Sequence, residues 1–147
     1  MSSSKSLIYF LKHAQLRLTE LNTAALAPYG IDGRELGVLR VLTDGEPASQ
    51  QQAASRLGID RTTMVAFLDA LEGKGLVVRR PHADDRRRNV VELTEAGRDI
   101  LDRGGRAADE AEREFLSPLA GPVAEQLKAA LATLVTGEPS ATRRRDG

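Results

Sequence analysis

The run from Ala53 to Gly97, AASRLGIDRTTMVAFLDALEGKGLVVRRPHADDRRRNVVELTEAG, carries the pattern that decides the fold. Gly58 ends one helix and Asp60 caps the next, so Leu57-Gly58-Ile59-Asp60 is a tight turn between two helices. In the second helix Met64, Phe67, Leu68 and Leu71 stand at i, i+3, i+4 and i+7, a single buried stripe. Gly75 terminates it and the period falls to two, with Leu76, Val78 and Arg80 alternating with Val77 and Arg79. After the stretch Pro81 to Arg88, a second extended run covers Asn89 to Leu93. This predicts a hairpin with a long charged tip. Two helices across a tight turn, followed by a hairpin, form a winged helix-turn-helix pattern.

Upstream, Leu7, Leu11, Ala14, Leu18, Leu21 and Ala25 mark a heptad seam on a helix from about Ser4 to Ala27, ended by Pro28 and Gly30. Ile8, Phe10 and Ala24 widen its apolar surface, which calls for more than one neighbour, a second chain among the candidates. Asp32 and Glu35 have capping-box spacing and open a short helix through Leu36, Leu39 and Leu42. Asp44-Gly45-Glu46-Pro47 breaks it, and Ser49 caps a helix through Ala53, Ala54 and Leu57. Downstream, Thr94 caps a helix to about Phe115, and Pro118 or Pro122 opens a last one with Leu119, Val123, Leu127, Ala130 and Leu134 in its seam. Residues 137–147 hold no apolar period, and disorder is expected there.

A length of 147 residues suits one domain, and a hydrophobic share of 41% suits a packed core. Lys plus Arg number 21 against 21 Asp plus Glu, so any attraction to nucleic acid must come from local clustering. With no Cys, disulfides, thiolate metal sites, Cys nucleophiles and thiol redox sensing are excluded. His13 and His82 are too few for a His-rich metal site, although one with carboxylates stays open. Tyr9, Phe10, Tyr29, Phe67 and Phe115 are too scattered for a platform that stacks single-stranded bases. The early apolar run Leu7 to Leu11 falls short of the roughly 7–15 residues of a signal peptide core, so a cytoplasmic, nucleoid-associated protein is expected. No Ser-His-Asp or Cys-His constellation, P-loop, GxGxxG or HExxH pattern is present, so neither catalysis nor a cofactor or metal is expected.

The stretch Ala53 to Gly97 resembles the MarR family of bacterial transcription regulators. Its wing signature D-x-R-x5-L-T stands here as Asp85, Arg87, Leu93 and Thr94. Its LxxLxxKGLVxR-like run stands as Leu68, Leu71, Lys74, Gly75, Leu76, Val77 and Arg79. The likeness extends over Ser4 to Val135. It implies a fold that is mainly α with a small β-hairpin wing, within one domain over residues 1–147. The winged helix-turn-helix lobe (32–94) would be flanked by N- and C-terminal dimerisation helices (4–31 and 95–135). It further implies a homodimer on a pseudopalindromic double-stranded DNA operator, usually a repressor released by a small ligand. The family's cysteine-based peroxide-sensing branch is excluded, because this chain has no Cys.

With the apolar stripe inward, the helix after the turn shows Arg61, Thr62, Val65, Ala66 and Asp69 on its other side. A recognition helix offers its N-terminal half to the major groove. Arg61 suits guanine or phosphate, and Thr62 a phosphate or base edge, with Thr63 grouped beside them. A solvated surface arginine is the plainer alternative for Arg61. Val65 and Ala66 depart from the polar or basic residues common in the family, so thymine-methyl contact takes the place of hydrogen-bond readout. Asp69 disfavours phosphate and suits pairing with an arginine. Lys74, Arg79, Arg80, Arg86, Arg87 and Arg88 outnumber Asp84 and Asp85, six to two, a local charge of +4. By family position Arg87 enters the minor groove, Asp85 orients the cluster, and Arg86 and Arg88 meet phosphate, with Arg79 counted among the DNA-binding residues. The alternative is a solvated loop whose acids neutralise its arginines. Ser49, Gln50 and Gln51 either clamp the DNA backbone or are a cap and two surface residues.

Tyr9, His13 and Arg17, at i, i+4 and i+8, share one face of the first helix. In similar family members a phenolic or anionic effector binds between the dimerisation helices and the DNA-binding lobe, and this face could hold a carboxylate. Packing at a dimer interface is the alternative. The leading function is therefore a ligand-responsive dimeric repressor. The competing readings are a winged-helix protein–protein adaptor and a regulator without small-molecule input. The Arg-rich wing argues against the adaptor.

Overall fold

Ser6 starts the first helix: its side chain accepts from the Tyr9 backbone N–H at 3.3 Å, and α1 then runs Leu7–Leu26. The computed structural model describes residues 4–43, 48–81 and 89–139. Pro28 closes α1 in a short 3-10 turn, Ala27–Tyr29, and Gly30 leaves it at φ 70°. α2 (Gly33–Thr43) opens on a reciprocal cap. Asp32 Oδ1 accepts from Glu35 N at 2.8 Å, while Glu35 Oε1 accepts from Asp32 N at 3.2 Å. A second capping box opens α3 (Gln50–Leu57), with Ser49 and Gln52 in the paired roles. Gly58, at φ 65°, makes the turn to α4 (Arg61–Gly73), which Asp60 caps.

Three short strands follow the helix-turn-helix logic. β2 (Val77–Pro81) and β3 (Asn89–Leu93) form the antiparallel hairpin, in register from Val77↔Leu93 to Pro81↔Asn89. β1 (Ala48–Ser49) pairs with the other edge of β3, giving the order β1-β3-β2. This third strand is absent from the sequence reading. Two residues carry no alternation, and their extended state is set by a partner about 40 residues away rather than by local pattern. Thr94 then caps α5 (Glu95–Leu116), accepting from Gly97 N at 3.0 Å and donating to the Gly75 carbonyl at 2.6 Å.

The chain divides into two compact units, Met1–Glu112 and Arg113–Gly147. The buried core lies in the first, where Leu26, Leu36, Leu39, Met64, Leu68, Leu71, Val77 and Val91 are closed off almost completely. The second holds α6 (Gly121–Thr136), with Ala120 at its N-cap and Gly137 at its end. Pro122, not Pro118, sits in its first turn, where a missing N–H is no loss. The seam on α1 is left largely uncovered within the chain. Its residues stay open or half-open, and the position anchored in the core is Leu26, off the seam. Residues 140–147, most of the tail expected to be disordered, lie outside the described residues.

Lys74, at the C-cap of α4, reaches back to the start of α2. Its Nζ donates to Glu35 Oε2 at 2.7 Å and to the Gly30 carbonyl at 2.9 Å. Glu35 is the one buried charged residue among the described residues, so this pair neutralises a buried carboxylate. Lys74→Met is expected to destabilise the fold by about 2–3 kcal/mol, below the full buried-pair figure because the lysine itself is partly solvated. Arg80→Met breaks only the exposed Arg80–Glu92 contact at 3.8 Å and should cost under about 1 kcal/mol. Urea melts of the two variants at one protein concentration compare them directly.

Candidate nucleic-acid interface

Asp60 sets the geometry of the α4 N-terminus. Hydrogen bonding from Thr63, side chain foremost, holds the Asp60 carboxyl below the ordinary carboxylate value, so it stays ionised at the positive end of the helix. Thr63 is thereby engaged in the cap rather than left open for DNA. Arg61, Thr62 and Ala66 are exposed, and Val65 is half-buried beside the core-facing Met64 and Leu68. Among the described residues no side-chain hydrogen bond or ion pair engages Arg61 or Thr62. This end of α4 therefore presents a cation, a hydroxyl and two small apolar groups.

Ser49 Oγ accepts from Gln52 N at 3.1 Å, so its hydroxyl serves the α3 cap. Gln51 is exposed, whereas Gln50 Oε1 accepts from Arg79 Nη1 at 3.3 Å. Arg79, counted from the sequence among the DNA-binding residues, is engaged within the protein. Its Nε donates to Glu72 Oε2 at 3.0 Å and its Nη2 to Asp69 Oδ1 at 2.5 Å, and the side chain is only 21% exposed. The cause is strand alternation: Arg79 lies on the same face of β2 as buried Val77, which turns it toward α4. Glu72 responds, its carboxyl lowered below the ordinary value by the hydrogen bond from Arg79. Asp69 has the arginine partner that its chemistry called for.

Three of the six basic residues named from Lys74 to Arg88 have acidic neighbours. Lys74 is held by Glu35, Arg79 by Asp69 and Glu72, and Arg80 stands near Glu92. The remaining wing residues named from the sequence, Asp84, Asp85, Arg86, Arg87 and Arg88, lie outside the described residues, as does His82.

On α1, Tyr9 and His13 stack with ring centroids 4.1 Å apart, and Lys5 Nζ lies 4.7 Å from the Tyr9 ring centroid. A cleft of about 720 Å3 lies between α1 and the start of α2, lined among others by Lys12, Gln15, Thr19, Asn22, Asp32 and Arg34. Tyr9, His13 and Arg17 do not line it; they sit on another side of the same helix. The cleft residues had a visible signal, since Gln15, Thr19 and Asn22 recur at i, i+4 and i+7 as an uncharged polar stripe on α1. Among the described residues no group of three or more His, Asp or Glu is placed to hold a metal ion.

A model of the MarR family matches residues 29–88, from the turn after α1 to just before β3. The transcriptional repressor CouR, solved bound to a 23-mer DNA duplex, is 35% identical to this chain. The match covers 92% of this chain and 98% of that one, with a TM-score of 0.79. The chain belongs to the MarR family. A probable transcriptional regulator from Pseudomonas aeruginosa is 30% identical over 88% of this chain and 97% of its own, with a TM-score of 0.82. CouR from Rhodococcus jostii RHA1, solved with p-coumaroyl-CoA bound, is 26% identical over 93% and 96%, with a TM-score of 0.77. MarR-family proteins are DNA-binding transcription regulators and not enzymes, and the fold here is the family's, mainly helical with a hairpin wing. No helix among the described residues is long and apolar enough to cross a membrane.

Proposed function

We propose that this MarR-family protein is a homodimeric repressor of a pseudopalindromic operator, released by a phenolic or anionic effector. The N-terminal half of α4, the part a recognition helix offers to base edges, carries the reading: Arg61, Thr62 and Ala66 are exposed there and Val65 half-buried, and Gln51 is exposed at the start of α3. CouR bound to duplex DNA supports it at 35% identity. Apolar side chains left open on α1 and α6, such as Ile8 at 77% exposure, support a second copy as their cover. Two protomers then read half-sites about one helical turn, roughly 10 base pairs, apart.

The cleft between α1 and α2 suits the effector better than the Tyr9–His13–Arg17 face, because it is concave and offers Lys12 and Arg34 to an anion. The phenolic thioester bound to CouR has both aromatic and anionic parts, which supports this class of ligand. Arg87 of the wing enters the minor groove, with Asp85 orienting it and Arg86 and Arg88 on phosphate. Arg87→Ala is then expected to weaken operator binding by about 1–3 kcal/mol and to reduce the slope of log affinity against log salt by about one unit per half-site. Fluorescence anisotropy across a salt series checks both numbers. An unchanged affinity in this variant would remove the wing from the interface.

A further inference from the structure

The geometry points to Arg79 as a positioning residue for DNA recognition, one that sets the angle between α4, the α3 N-terminus and the wing without itself touching DNA. This rests on the proposed use of α4 and α3 on DNA.

Arg79 belongs to β2, Asp69 and Glu72 to α4, and Gln50 is the first residue of α3. One guanidinium thus joins the three elements assigned to the interface. Asp69 and Glu72 are three residues apart on α4 and share a face, which lets a planar fork engage both. Nε, Nη1 and Nη2 each have an acceptor within the protein, so no guanidinium nitrogen is left wholly for phosphate. Lysine, a compact point charge, cannot reproduce a three-way fork.

Electrostatics alone gives the cluster no purpose on DNA. Two carboxylates against one guanidinium leave a net charge of −1, and Asp69 is 59% exposed. Such a group repels phosphate. Its value lies in geometry: a recognition helix tilted away from its place loses base contacts while keeping its charge. Specific binding then suffers and nonspecific binding does not.

The test uses the full chain and a duplex recovered by the wild type from a randomised library, beside a scrambled duplex of equal length. Both are titrated across a salt series with the wild type, Arg79→Gln, Arg79→Lys and the double variant Asp69→Asn with Glu72→Gln. Arg79→Gln should weaken the selected duplex by about fivefold or more relative to the scrambled duplex, which feels only the small effect of one lost charge, with an unchanged salt slope. Arg79→Lys should recover little of that loss. The double variant decides most sharply. Removing two negative charges strengthens both duplexes if only Coulomb attraction matters, whereas the positioning role requires the selected duplex to weaken while the scrambled one gains.

A salt slope lower by about one unit per protomer in Arg79→Gln, with both duplexes weakened alike, would make Arg79 a phosphate contact and overturn the inference. Unchanged selected-duplex affinity in Arg79→Gln would overturn it too. If Arg79→Gln fails to fold by circular dichroism, the double variant decides alone, since its carboxylates are partly or largely solvated. A wild type that enriches no duplex overturns the DNA reading itself, and the positioning role with it.

Discussion

Leu11→Asp is expected to dissociate the proposed homodimer and, through that loss alone, to weaken operator binding by about 100-fold or more. Leu11 lies on α1 with 44% of its surface open in the isolated chain, among Leu7, Ile8, Phe10 and Leu16, all exposed. Covering one leucine side chain contributes about 1.5–3 kcal/mol, and a two-fold interface counts it twice, so about 3–6 kcal/mol is at stake. A carboxylate at that position adds desolvation cost on each side. Every 1.4 kcal/mol is roughly tenfold in dissociation constant, which sets the scale of the loss. The protomer keeps its fold, because the core is built from Leu26 onward and does not include Leu11. Each half-site then binds alone and forfeits the local concentration its tethered partner supplied. Sedimentation velocity at micromolar concentration and an operator titration measure the two effects. An undiminished dimer in this variant would place the interface on surfaces other than the α1 seam.

The helical parts of the fold were legible because their signals are local. Asp32 with Glu35, Ser49, Asp60 and Thr94 each act within one turn, and each caps the helix expected of it. The stripe Met64, Leu68 and Leu71 needs only helical periodicity to be read, and all three are buried. What the sequence hid depends on partners far along the chain. β1 exists through β3, and the Glu35–Lys74 pair joins residues 39 apart. The partners of Arg79 were hidden for the same reason. Its strand face could be inferred from Val77, but the two acids it meets lie on a helix whose packing angle no local pattern specifies. The cleft between α1 and α2 needs both helices to form, so the α1 pattern alone does not reveal it. At the interface, Arg61 and Thr62 were readable as exposed positions, whereas the charge count of the wing treated paired and open cations alike.

Two glycines in α5 should respond to the same substitution with opposite signs. Gly97 lies in the first turn, where an added Cβ would run into the Leu76 backbone carbonyl. That carbonyl accepts from Thr94 N at 3.0 Å, and Thr94 in turn holds the Gly75 carbonyl, so the contact is the joint between the hairpin base and α5. A side chain tip could swing aside, but this backbone is pinned from both ends. Replacing glycine by alanine inside a helix ordinarily gains about 1 kcal/mol in helix propensity. At Gly97 the steric cost of overpacking, about 1–3 kcal/mol and more when backbone must shift, outweighs that gain. Gly97→Ala is therefore expected to lose about 2–4 kcal/mol of stability. Gly105 sits mid-helix, and a Cβ there meets only Arg40 Nη2 at 3.9 Å, an ordinary contact with a flexible tip. Gly105→Ala should gain about 0.5–1 kcal/mol. Chemical denaturation at a fixed protein concentration keeps dimer mass action out of the comparison. Because the strained joint connects the wing to α5, Gly97→Ala should also weaken operator binding at temperatures where the chain is still folded. Equal and favourable shifts for both alanines would mean that the Leu76 carbonyl can move freely, and the joint would then be no fixed link between wing and helix.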